Sequence, residues 1–170
     1  MYSSAYLDYL IEFHATRDYF ECHEILEEHW KQDPPGKRKL HWVGLIQLAV
    51  ALYHERRKNI IGAKRMFRSS LRIIELEQKE FELLGIDVVL LKKMILDRLN
   101  QTDAVFIDFT IPIIDDQLLL ECEKLSSERQ LIWGKKSSLE LDRLIHKHTL
   151  RDRTDVIEER QRKLLKKQKK

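Results

Sequence analysis

Apolar positions recur along most of this chain at spacings of three and four, the period of helices laid against a core. Tyr2, Tyr6, Leu10 and Phe13 open the pattern and predict a short first helix ending near Ala15, with Thr16-Arg17 as the link onward. In the next segment Tyr19, Cys22, His23, Leu26, Glu27 and Trp30 fall on one helical side, and Glu21, Glu24 and Glu28 fall on or near the other. Asp18 followed by Glu21 has the form of an N-cap with its reciprocal acid, and Asp33-Pro34-Pro35-Gly36 stops the helix.

Residues 37–57 read as a long helix, apolar almost all round from Trp42 to Tyr53 and so buried on most sides. Gln47 and His54 interrupt it, two turns apart on one stripe. Asn59 caps a further helix reaching about Leu84, whose inward face is Ala63, Met66, Phe67, Ser70, Leu71 and Ile74. Gly85 ends that helix, and Asp87 starts another over residues 88–99. Residues 4–99 therefore predict five helices with short connections, an all-α antiparallel bundle, and no sustained alternation predicts a sheet. Residues 102–114 are apolar but broken by Pro112, and read as an extended strap. A short helix over 115–125 and a loop over 126–138 turning at Trp133-Gly134 follow, then a charged helix from Leu139. The expected organisation is a bundle domain over 1–100, a strap and short helix packed on it over 101–138, and a charged, partly mobile C-terminal helix over 139–170.

Composition narrows the class. A length of 170 residues suits one domain with an appendage, and 5 Gly and 3 Pro suit a helical one. A net charge of +3 argues against nucleic acid for the whole chain, although Arg160, Arg162, Lys163, Lys166, Lys167, Lys169 and Lys170 gather in a basic tail that offers one weak nucleic-acid contact. Cys22 and Cys122 form no metal-binding spacing and suit a reducing compartment. No signal peptide is visible and the longest apolar run is too short for a bilayer, so the expectation is a soluble cytoplasmic protein with no membrane contact.

The sharpest chemistry sits on the second helix. Its pattern predicts burial of His23 and Glu27 one turn apart, and a buried carboxylate costs several kcal/mol unless something pairs with it. One reading is a closed hydrogen-bond network of His23, Glu24, Glu27, Gln47 and His54, fixing helix registry without chemistry. The other is a divalent metal site with His23, Glu27 and His54 as ligands to zinc, manganese or iron, and Glu24 as a catalytic base. The motif resembles a His-Glu-x-x-His metalloprotease helix, but Glu27 stands where the second His belongs. Lys64, Arg65, Arg68 and Arg72 read as a solvated face rather than a phosphate strip, His29 and His41 as surface residues, and Cys22 as core. His146-Lys147-His148 with Arg151-Asp152-Arg153 reads as a solvated or partner-docking segment. No phosphate loop and no Gly-x-Ser-x-Gly elbow is present.

Phe20-x-x-His23-Glu24-x-x-Glu27-x-x-Trp30, with Gly44, Gln47, Ala49, Leu52-Tyr53-His54, Asn59 and Gly62-Ala63 on the following helices, resembles the signature of domain-of-unknown-function family 309, the YpuF-like proteins. The likeness spans roughly residues 13–74. It implies an all-α fold and a polar site made from His23, Glu24, Glu27, Gln47 and His54, and it implies no activity. The cadence of residues 49–71 is also that of a single tetratricopeptide helix pair, which makes a helical interaction module the other class to weigh. The leading expectation is a non-catalytic module that binds protein partners or a second copy of itself around a buried His/Glu network. The alternative is a metal-binding protein or metal-dependent hydrolase.

Overall fold

A computed structural model describes residues 1–101, 105–138 and 145–147. The protein is all-α, with seven α-helices among these residues: α1 (Ser4–Ile11), α2 (Tyr19–Gln32), α3 (Leu40–Arg56), α4 (Ile60–Leu76), α5 (Gln78–Leu83), α6 (Val88–Asn100) and α7 (Asp116–Glu128). Neighbours in sequence pack as neighbours in space from α1 to α4, with α6 against α4 and α7 against α1. The side chains of Ser3, Asp18, Asn59, Asp87 and Asp115 accept backbone N–H groups at the starts of α1, α2, α4, α6 and α7. Each thereby satisfies a donor that the first turn of a helix leaves open.

Three buried tyrosines tie the layers together. The Tyr6 hydroxyl donates to the Leu84 carbonyl at 2.9 Å and that of Tyr9 to the Leu45 carbonyl at 3.0 Å. The Tyr19 hydroxyl donates to Asp108 on the strap at 3.1 Å. Each ring fills the core while its hydroxyl keeps a partner.

Three boundaries differ from the periodicity. After Ile11 the chain widens into a π turn, Glu12–Thr16, and Arg17 then takes a left-handed conformation at φ 60°. A π turn carries more than four residues per turn, which shifts the register of the side chains, and Phe13, His14 and Ala15 are all buried. The expected helix from Asn59 to Leu84 is two helices that break at Glu77, and this turns Phe81 into the core. α7 runs one turn further than residue 125.

The strap is extended over residues 105–115, with Phe109 and Ile111 buried. It lies on the α5–α6 corner, where Asp87 N–H donates to the Pro112 carbonyl and Ile114 N–H to the Gly85 carbonyl, both at 2.8 Å. The expected C-terminal helix and basic tail lie outside the described residues, apart from residues 145–147. No described helix is long and apolar enough to cross a membrane.

Candidate functional site

α2 and α3 run side by side, and the site lies at their exposed seam. Asp18 fixes the start of α2 by accepting the Glu21 N–H at 3.0 Å, which sets the rotation of the helix. Tyr19, Cys22 and Leu26 then face the core. His23 and Glu27 flank that face rather than share it: their side chains are 24% and 35% exposed, and that of Glu24 is 30% exposed. The burial predicted for His23 and Glu27 is therefore corrected to a half-buried position with access to water.

His23 is held at both ring nitrogens. Nδ1 lies 3.3 Å from the Phe20 carbonyl and 3.3 Å from Glu24 Oε1, and Nε2 lies 3.2 Å from Glu27 Oε2. A carbonyl only accepts, so Nδ1 carries its proton toward Phe20, which leaves Nε2, facing the Glu27 carboxylate, as the ring atom open to a cation. Lys31 Nζ takes the other Glu27 oxygen, Oε1, at 2.7 Å. Burial alone raises the Glu27 carboxyl, but the Lys31 hydrogen bond and the charges of Lys31 and His23 outweigh it and hold the group below its ordinary value. One donor atom from each of His23, Glu24 and Glu27 can be chosen so that all lie within 4.8 Å of one another. Two ligands on one ion at bonds of ~2.1 Å stand roughly 3.0 to 3.4 Å apart, the separation of Nε2 and Glu27 Oε2.

The other two expected members stand apart. His54 is not one of this group; it lines a cavity of about 190 Å³ that His23 also borders, together with Tyr19, Phe20, Val50, Tyr53 and Arg57. Its Nδ1 is 3.1 Å from the Asn59 side-chain nitrogen. Gln47 makes no hydrogen bond with the cluster among the described residues, and its Oε1 is buried without a partner. The five-residue network thus divides into a His23–Glu24–Glu27 cluster, a His54–Asn59 pair and a solitary Gln47.

Asn59 explains part of the local pattern. Its side-chain oxygen accepts the Gly62 N–H at 3.1 Å, so its amide nitrogen is the group that meets His54. A Cβ at position 62 would stand 2.7 Å from that nitrogen. Glycine there lets one asparagine both cap α4 and orient His54.

Residues that the sequence pattern missed sit around this seam. Arg17 and Arg56 are 3% and 5% exposed. Arg17 donates to the carbonyls of Phe13, Phe109 and Lys135, while Arg56 donates to the Arg17 carbonyl at 2.7 Å and covers the Tyr19 ring. Lys147 bridges Asp18 and Glu21 at 2.6 and 2.7 Å. His41, expected on the surface, is 4% exposed: the α4–α5 corner covers it, with Glu77 and Glu80 each 4.0 Å from Nδ1. Lys64, Arg65, Arg68 and Arg72 are exposed or half-exposed on α4, as a solvated face requires, and Cys22 is fully buried.

Residues 6–66 match the family described as Domain of unknown function (DUF309). The chain is 51% identical over 166 residues to Uncharacterized protein YpuF of Bacillus subtilis (strain 168), a match covering 96% of this chain and 95% of that one. The chain belongs to this family. The likeness runs well past residue 74, so the strap and α7 are part of what the two proteins share. No solved structure matches.

Proposed function

We propose that this chain is a divalent-cation-binding helical protein, with His23, Glu24 and Glu27 as ligands and water completing the coordination shell. The observation that carries the reading is the convergence of one imidazole and two carboxylates within 4.8 Å on a half-exposed helix face. Imidazole with carboxylate suits zinc, manganese or iron. Phe20 supports the reading from behind: its carbonyl accepts from Nδ1 and leaves Nε2 as the atom that would ligate, the outer-shell device common to metal-ligating histidines. Glu24 then serves as a ligand rather than as a general base, and His54 stands outside the ligand set. Titration calorimetry with Zn²⁺ and with Mn²⁺ tests this. Saturable uptake near one ion per chain is expected, weakened about tenfold or more in both His23→Ala and Glu27→Gln, since each removes a ligand. Uptake indifferent to both substitutions, or none at all, contradicts it.

A second reading, the protein-interaction module, draws on a different observation. Leu76, Leu83 and Val89, at the α4–α5–α6 corners, are 65%, 73% and 72% exposed. Association through these side chains would persist after chelation, which separates it from the cation reading.

A further inference from the structure

We infer that the cavity between α2 and α3 binds a small carboxylate with an apolar body about one ring in size, held at its charged end by Arg57 and His54. His23 borders both this cavity and the cation cluster, but the inference does not rest on the cation reading, because the anchoring groups are His54 in the last turn of α3 and Arg57 at its C-cap.

The volume, about 190 Å³, is of the order of the ~150 Å³ cavity that admits benzene. Phe20, Val50 and Tyr53 make the walls predominantly apolar. Phe20 and Tyr53 stand 5.5 Å apart between centroids and tilted at 59°, a rigid pair that an apolar ligand can lie against. Such a cavity holds an apolar body, and, besides His23, the polar groups His54 and Arg57 decide what the other end of the ligand must be.

Both groups are donors. Asn59 gives its amide hydrogen to His54 Nδ1, so the neutral His54 ring carries its proton on Nε2. Burial, with the nearby Arg57 charge second, lowers the His54 pKa and keeps the ring in that neutral donor form. Arg57 lies with its guanidinium carbon 5.4 Å from the Tyr53 ring centroid, and its Nε is buried with no hydrogen-bond partner. A buried donor left unpaired costs about 1–3 kcal/mol, and an acceptor brought by a ligand recovers that loss. An arginine charge beside an N–H donor at one end of an apolar slot favours an anionic acceptor, and a carboxylate accepts from both at once. Glu55, the acid adjacent to His54, does not take this role: it is engaged by Arg98 at 2.7 Å.

Benzoate is the probe, with benzamide as its uncharged analogue and acetate as the charge without the ring. Binding is followed by amide and side-chain NMR shifts in the full chain, with EDTA present. Saturable shifts at Tyr53 and His54 are expected with benzoate, about tenfold weaker binding with benzamide, and none resolved with acetate. Arg57→Gln should weaken benzoate about tenfold or more, and Val50→Phe, which fills the slot with an apolar side chain, should abolish binding while leaving the spectrum folded. Benzoate binding that ignores both substitutions, benzamide binding as tightly, or a loss of binding in EDTA would each overturn the assignment. The last outcome would place the carboxylate on a bound ion instead.

Discussion

His14 is a buried imidazole whose Nε2 has no hydrogen-bond partner, stacked on Trp133 at 4.5 Å. Burial first, and the Arg17 charge second, lower its pKa to about 3. The unfolded chain binds a proton at this group near pH 6.5, and the folded chain does not until about pH 3. Between those values the unfolded state holds more protons, so stability falls as pH falls, and above pH 6.5 the group contributes no slope. Urea unfolding at pH 7 and pH 5 should show the wild type losing about 2 kcal/mol more than a His14→Phe variant, which keeps the stacking and removes the proton. An equal loss in both contradicts the assignment. His14 was invisible in the pattern because the π turn shifts the register there. His41 was misread for a related reason: what buries it is the α4–α5 corner, and nothing adjacent in the sequence records that contact.

At the scale of elements, Gly44 sets the distance between α3 and its covering layer. A Cβ there would stand 2.8 Å from Phe81 Cζ and 3.0 Å from Ile73 Cγ2, while Ser70 Oγ donates to the Gly44 carbonyl at 2.8 Å. Gly44→Ala should therefore destabilise by about 1–3 kcal/mol in urea unfolding, although alanine favours an isolated helix. A stabilised variant contradicts this packing. Element type was legible because each α-helix keeps the 3.6-residue period and the caps Asp18, Asn59 and Asp87 stand where helices begin. The break at Glu77 was not legible. Ile74 and Phe81 lie on one stripe two turns apart with no Pro or Gly between them, and the packing of Phe81 beneath Gly44 is a contact that nothing adjacent in the sequence records.

Over the whole molecule, the strap is tied to the bundle by charge as well as by Phe109 and Ile111. Asp108 accepts from Tyr19 and from the Ser137 N–H and hydroxyl, and stands 3.9 Å from Arg17 Nε. Asp108→Ala removes the acceptor and leaves buried Arg17 without that carboxylate, so a loss of about 3 kcal/mol is expected in urea unfolding. A change below ~0.5 kcal/mol would mean that the strap is held by its apolar side chains alone. The sequence marked residues 102–114 as packed because they are apolar and contain a proline. It could not say where, since the partners are Arg17, Tyr19 and Ser137, remote along the chain. The same limit applied at the site: helical spacing put His23 and Glu27 on one side of α2 and Glu24 on or near the other, while linking His54 and Gln47 to them required knowing how α3 is rotated against α2.

The most direct measurement is a ¹H–¹⁵N NMR spectrum of the full chain with substoichiometric Mn²⁺, whose unpaired electrons broaden signals of nearby nuclei. The account predicts broadening centred on residues 20–27 and reaching residues 50–54 across the seam, absent in His23→Ala. No selective broadening, or broadening centred on another acidic stretch such as Asp115-Asp116, would contradict a cation site at His23, Glu24 and Glu27.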